Sequence, residues 1–164
     1  MSLVSGNLIV PTILWGRRAP SHRACCVRCL PDGQTILTGT VDGQIIIWRL
    51  DNGLLKPKYM LFGHSRPISC LCPTGVDSLT TRFVSTSDDG KMCLWESVDG
   101  RCIDSVTTVN VHRYIYAHPL RSSAILTQLR LFCVGDYPEI IVMDPQDLTV
   151  LFTLSSRVEP DWVS

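Results

Sequence analysis

The sequence predicts an all-β chain assembled from a repeating unit of about 47 residues, and three observations carry that reading. First, "DGQIIIWRLDNG" (42–53) returns as "DGKMCLWESVDG" (89–100), which sets Trp48 and Trp95 47 residues apart. Second, helical periodicity is nearly absent; short β-branched and aromatic runs alternate with Gly, Pro, Asp and Asn turns. Third, "QIIIW", "MCLW" and "EIIVM" are continuous apolar runs, as expected of strands covered on both faces.

The elements follow in order. An apolar stretch at 8–15 reads as a strand that precedes the first repeat. After His22 come "ACCVRCL" (24–30), "TILTGT" (35–40), the Asp42-Gly43 turn, a strand ending in Trp48 and a fourth strand. After His64 the pattern repeats with "PISCLC" (67–72), "RFVSTS" (82–87), Asp89-Gly90 and a strand ending in Trp95. A weaker third copy follows His112, with "RLFCVG" (130–135) and "EIIVMD" (139–144). His112 falls 48 residues after His64, and Met143 falls 48 after Trp95. Both Asp-Gly pairs sit between strands, where a tight hairpin needs the positive φ that glycine supplies.

Four short strands at this period describe the blade of a β-propeller. The fold class is therefore a partial β-propeller of about three four-stranded blades, one domain over 1–164. The blades span 22–62, 64–107 and 112–154, with 155–164 opening a further blade. The strand at 8–15 is of the kind that completes a last blade, and it is expected to be left unpaired here. An arc of this kind is expected to expose Leu131, Cys133, Ile141 or their neighbours as an apolar patch and to favour oligomers or aggregation. Propellers close with typically 4–8 blades, so the chain reads as a truncated chain or short isoform.

The offset between turn Asp and Trp, six residues in both full copies, exceeds what a hairpin requires. Here the chain resembles the WD-repeat family. That resemblance implies a buried structural network joining a loop His, the turn Asp, a Ser or Thr of the second strand and the Trp indole. Carried onto this sequence it names His64, Asp89, Ser87 or Ser85, and Trp95 in the second blade. In the first it names His22, Asp42, Thr40 or Thr38, and Trp48, with "PSH" replacing the family's usual Gly-His. The third keeps His112 and Asp144, but has Met143 for Trp and Tyr137 at the turn position with Asp136 beside it. The third blade is accordingly expected to lack the full network. None of these residues is catalytic.

A more specific resemblance rests on "IVPTILWGRRAPSH" (9–22), "YMLFGHSRPISCL", "MCLWESVDGRCI", "YPEIIVMD" and "EPDW". Together these look like the N-terminal part of the rabconnectin beta subunits, and the likeness loosens between 106 and 129. It implies a regulatory subunit that, with the rabconnectin alpha subunit, promotes assembly of the vacuolar proton pump and vesicle acidification. The partners it implies are that alpha subunit and subunits of the pump. The alternatives are a generic WD-repeat adaptor, such as a ubiquitin-ligase substrate receptor, or a non-functional truncated isoform.

Composition narrows the classes further. Fifteen basic residues balance fifteen acidic ones, which argues against a nucleic-acid partner bound through phosphate neutralisation. Arg17, Arg18, Arg23 and Arg28 crowd the N-terminal region and read as a solvated loop and strand face. No apolar run approaches the roughly 20 residues needed to span a bilayer, so direct membrane insertion is not expected. The chain reads as cytoplasmic, with peripheral placement on vesicle or endosomal membranes implied by the resemblance. Of eight cysteines, Cys26 and Cys29 form a Cys-x-x-Cys, but no second pair has matching metal-ligand spacing. Free thiols filling strand positions are expected, with no metal and no cofactor. Catalytic signatures such as Gly-x-Ser-x-Gly or His-Glu-x-x-His are absent from the sequence, and no enzyme activity is expected.

Overall fold

The computed structural model describes residues 23–121 and 127–155, together with the short strand β1 (Thr12–Ile13). Three antiparallel sheets follow one another along the chain. The first blade holds β2 (Ala24–Cys29), β3 (Thr35–Thr40), β4 (Gln44–Asp51) and β5 (Leu54–Phe62). The second holds β6 (Ile68–Pro73), β7 (Arg82–Ser87), β8 (Lys91–Glu96) and β9 (Cys102–Thr107). The third holds β10 (His112–Arg121), β11 (Thr127–Gly135), β12 (Tyr137–Met143) and β13 (Val150–Leu154). Regular structure among the described residues is all strand, so the chain is an arc of three propeller blades.

The repeat is visible in the register. Ile36 faces Trp48, Phe83 faces Trp95 and Leu131 faces Met143 across the β3–β4, β7–β8 and β11–β12 pairs. Each first strand carries an irregularity at the same place: Ala24/Cys26, Ile68/Cys70 and His112/Tyr114. The extra residue is Cys25, Ser69 or Arg113. A bulge of this type bends the strand and re-aims a side chain, and here it recurs once per blade.

Packing occurs between blades, because a four-stranded sheet one layer thick must bury both faces on neighbours. Leu37, Ile45, Ile47 and Leu61 of the first blade meet Ile68, Leu71, Phe83, Cys93 and Trp95 of the second. The second blade's opposite face, with Cys72, Val84, Met92 and Leu94, meets Ile115, Leu131, Cys133, Ile141 and Met143 of the third. Alternation along a strand thus sends Trp95 one way and Leu94 the other, which is why Met92–Trp95 is buried without interruption.

Two expectations need correction. Of the residues expected in an exposed patch, Leu131, Cys133 and Ile141 themselves are excluded: all three are buried against the second blade. The residues facing away are their sequence neighbours, and Tyr116, Phe132, Val142 and Phe152 line up across the four strands. Nor is the N-terminal strand without a partner. Thr12 pairs with Met60 and Ile13 with Tyr59, making β1 a fifth strand on the outer edge of the first blade. An edge strand offers a row of free N–H and C=O groups, and β1 covers the stretch of β5 at Tyr59 and Met60.

The turn glycines do more than supply positive φ. Gly43 and Gly90 adopt φ of 80° and 79°. A Cβ on Gly43 would lie 2.5 Å from the His64 carbonyl oxygen, and one on Gly90 would lie 2.4 Å from that of Thr108. Each turn therefore presses against the loop that leads into the next blade.

Candidate functional site

The second blade contains a continuous hydrogen-bonded chain that starts at an indole and ends at a carboxylate. Trp95 Nε1 donates to Ser85 Oγ at 2.7 Å; Ser85 Oγ lies 2.6 Å from His64 Nε2. His64 Nδ1 lies 2.6 Å from Ser87 Oγ, which donates to Asp89 Oδ1 at 2.6 Å. Both ends dictate the sense of the chain. An indole N–H only donates and an ionised carboxylate only accepts, so Ser85 donates to Nε2 and Nδ1–H donates to Ser87. His64 is thereby held as the neutral Nδ1–H tautomer. Burial pushes its pKa down to about 4, reinforced by Lys91 and partly opposed by Asp89. The Asp89 carboxyl is held below the usual range: burial raises it, and hydrogen bonds from Ser87, the Lys91 amide and Ser65 outweigh that.

The sequence left Ser85 and Ser87 as alternatives, and the structure uses both, one on each ring nitrogen of His64. Successive residues of a strand point to opposite faces, so Ser85 and Ser87 share a face and the imidazole spans them.

In the first blade Trp48 Nε1 donates to Thr38 Oγ1 at 2.8 Å, the counterpart of Trp95 to Ser85. Thr40 Oγ1 accepts the Gln44 amide at 3.0 Å, and Asp42 is exposed in the turn. His22 lies outside the described residues.

The third blade replaces the polar chain as a set. Position by position, Ser85, Ser87, Asp89 and Trp95 become Cys133, Gly135, Tyr137 and Met143. Cys133 Sγ lies 3.7 Å from Met143 Sδ, a sulfur pair in place of hydroxyl and indole. A Cβ on Gly135 would meet the Tyr137 ring at 2.8 Å, so the ring occupies the room the glycine leaves. Tyr137 Oη then lies 2.6 Å from His112 Nδ1. His112 Nε2 faces Thr108 Oγ1 at 3.4 Å, and that hydroxyl donates to the Asn110 carbonyl at 2.6 Å. This orders the protons as Tyr137 to Nδ1 and Nε2–H to Thr108, the opposite tautomer to His64. Burial alone lowers the His112 pKa to about 4, and burial also raises that of Tyr137.

Asp144, named with this network from the sequence, belongs elsewhere. It caps the β12–β13 turn, accepting the Gln146 amide at 2.9 Å and pairing with Arg130 at 3.4 Å. The 48-residue spacing aligns it with Glu96, one residue past Trp95, so it follows the buried end of β12 and has left the blade interior. Among the described residues no buried side-chain nitrogen or oxygen lacks a partner. Such saturated groups hold a fold together and offer nothing to a substrate.

Contacts open to a partner lie on the rim where the turns and inter-blade loops meet. Arg113 bridges two blades there, 2.7 Å from Asp88 and 2.8 Å from Asp136. Beside it Ser65, Arg66, Asp89 and Val109 are exposed. At the opposite end of the strands an open groove of about 540 Å³ runs between the β6–β7 loop and the β10–β11 hairpin. Val76, Asp77, Leu79, Arg82 and Pro119 line it, and Val76 and Leu79 are exposed. Sequence reasoning missed both features, since neither has a motif. No group of three or more His, Cys, Asp or Glu among the described residues is placed to hold a metal, and all eight cysteines are free. No helix among the described residues is long and apolar enough to cross a membrane.

The fold and the indole-to-hydroxyl bond repeated in the first two blades define an interaction scaffold of the propeller class. Residues 17–49 and 55–96 match the family model "WD domain, G-beta repeat", and the chain belongs to the WD-repeat family. It is 36% identical over 152 residues to WD repeat-containing protein 72 of Mus musculus, and 33% identical over 153 residues to that of Homo sapiens. Each match covers 92% of this chain and 14% of the relative, so the chain spans a small part of those proteins. The Set1 complex component swd1 of Schizosaccharomyces pombe is 27% identical over 122 residues, 74% of this chain and 28% of that protein. Among solved structures, the β-propeller domain of Myceliophteria thermophila Cps50 (Swd1) superposes with a TM-score of 0.63 at 23% identity, covering 83% of this chain and 40% of that one. The RRP9 WD40 repeats superpose at 0.68 with 16% identity, covering 91% and 42%. These last two establish the fold alone.

Proposed function

We propose that this chain is a non-catalytic protein-interaction module which, by its resemblance to the rabconnectin beta subunits, serves a cytoplasmic regulator of vacuolar proton-pump assembly. One observation supports the scaffold part above all: the histidines and hydroxyls of the blade networks are consumed internally. His64, Ser85, Ser87 and Asp89 saturate one another, and His112 is closed off by Tyr137 and Thr108. What remains for partners is shape and rim charge, which is how WD-repeat domains mediate protein–protein contacts.

The pump assignment is supported by the segments of likeness at both ends of the chain, above all "LWGRRAP" (14–20). The pump, the alpha subunit and a peripheral position on vesicle membranes all belong to this proposal. Affinity purification with the tagged chain from a vesicle-rich extract tests it. Recovery of proton-pump subunits together with a long alpha partner is the expected result. Recovery of ubiquitin-ligase components instead would favour the adaptor reading and overturn the pump assignment while leaving the scaffold intact.

A further inference from the structure

We propose that Cys25 and Cys26 form a partly exposed vicinal dithiol, a binding site for a trivalent thiophilic centre of the arsenical class. In a regular strand, consecutive side chains point to opposite faces and two adjacent thiols cannot act together. The irregularity between Ala24 and Cys26 in β2 removes that obstacle. Both sulfurs converge on one atom: Cys25 Sγ lies 3.1 Å and Cys26 Sγ 3.9 Å from the Ile68 carbonyl oxygen of the next blade. Cys25 also reaches the Gly39 carbonyl at 3.4 Å. Gly39 stands opposite Cys26, and a Cβ there would come within 2.6 Å of its sulfur. The glycine thus makes room for the second thiol.

The repeat separates structural duty from chemistry. The residue equivalent to Cys25 in the second blade is Ser69, whose hydroxyl donates to the His112 carbonyl at 2.9 Å. Ile68 and His112 hold the same place in their blades, just before the bulge. A hydroxyl therefore suffices for this inter-blade strap, and a thiol adds reactivity that the strap does not need. Adjacency combined with access sets the pair apart as well. Cys25 is exposed and Cys26 half-buried; Cys29 is exposed and Cys102 half-buried without an accessible thiol next in sequence, and Cys70, Cys72, Cys93 and Cys133 are buried.

The chemistry balances without redox change. An organic arsenic(III) oxide condenses with both S–H groups, forming two As–S bonds and releasing its oxygen as water with the two thiol protons. Protonated thiols are the reactants, so the elevated pKa of Cys26, near 12 from burial and its neighbour Cys25, does not stand in the way. A chelated centre gains from the second thiol being held at high effective concentration.

The test uses the reduced full chain with an equimolar amount of phenylarsine oxide, followed by tryptic mapping. Cleavage after Arg23 and Arg28 isolates 24–28, which contains this pair and excludes Cys29. The expected result is an adduct on 24–28 that survives excess monothiol and is released by a dithiol. Cys25→Ser retains the strap chemistry of the second blade and is expected to weaken retention by about 10²–10⁴-fold, the loss of chelation; Cys29→Ser leaves it unchanged. An adduct on the peptides carrying Cys70 and Cys72 or Cys93 and Cys102 overturns the proposal. So does undiminished retention by Cys25→Ser, or the lack of a monothiol-resistant adduct on the wild-type chain.

Discussion

Trp95 Nε1 lies 2.7 Å from Ser85 Oγ, and this single bond ties the central strand pair of the second blade to the polar chain that runs on to Asp89. The indole stacks on Phe83 with ring centroids 6.4 Å apart, and Ser85 passes the hydrogen-bond chain to His64. Trp95 is fully buried on the face toward the first blade, so it joins apolar packing between blades to polar order within one.

Trp95→Phe keeps most of the packing and removes the donor, leaving Ser85 with an unmet acceptor; the expected cost is about 1–3 kcal/mol. Trp95→Ala removes the packing too and is expected to cost about 3–5 kcal/mol. Urea unfolding measures both. A double-mutant cycle of Trp95→Phe with Ser85→Ala should show positive coupling, and additive losses would contradict a shared bond.

Acid should unfold this chain earlier than its carboxylates alone would require. His64 and His112 are neutral in the fold, with pKa lowered from 6.5 to about 4 in each. The unfolded state therefore binds protons that the folded state refuses. Their stabilisation is complete above pH 6.5 and is lost as pH falls toward 4, at up to about 1.4 kcal/mol per pH unit for each histidine. Asp89, whose carboxyl is depressed, adds a further loss at lower pH. Urea midpoints from pH 8 to 4.5 test this, and a flat profile down to pH 5 would exclude it.

Glycine substitutions should separate strain from crowding. Gly53 has φ of 78° with nothing within 4 Å of where a Cβ would stand, so Gly53→Ala costs the backbone term alone, about 1–2 kcal/mol. Gly43→Ala and Gly90→Ala share that φ and also collide with a carbonyl of the next blade's loop. Both are expected to be clearly worse than Gly53→Ala in thermal unfolding; equal losses would show that the turn gives way freely.

Arg113 makes a useful contrast. Its pair with Asp88 joins the third blade to the second and its pair with Asp136 stays within the third, yet both partners are well exposed. Arg113→Ala is expected to cost about 0–1 kcal/mol, shrinking further in high salt. A loss comparable with Trp95→Ala would mean that the rim, not the buried seam, holds the blades together.

Tyr137→Phe tests the third blade's substitute network. It leaves His112 Nδ1 without its 2.6 Å partner and should cost about 1–3 kcal/mol. Measured unfolding free energies equal to wild type would show that water replaces the hydroxyl.

Much of this architecture was legible in the residues themselves. The spacing of Trp48 and Trp95, the Asp-Gly turns and the unbroken apolar runs demand strands buried on both faces, and that demand comes from local chemistry repeated at a constant period. What only the tertiary structure decided depends on the neighbouring blade or on a shift in register. Leu131 and Cys133 turned inward because alternation, invisible in a continuous apolar run, assigns each residue to one of two seams. Ser85 and Ser87 both entered the His64 chain because an imidazole is long enough to span two positions on one strand face. Tyr137 became the partner of His112 only because Gly135 left space for its ring, a relation between side chains that no single position reveals. The pairing of Thr12–Ile13 with β5 and the convergence of Cys25 and Cys26 on Ile68 follow the same rule. Period and polarity specify the blade, and contacts across its edges and faces specify what the blade holds.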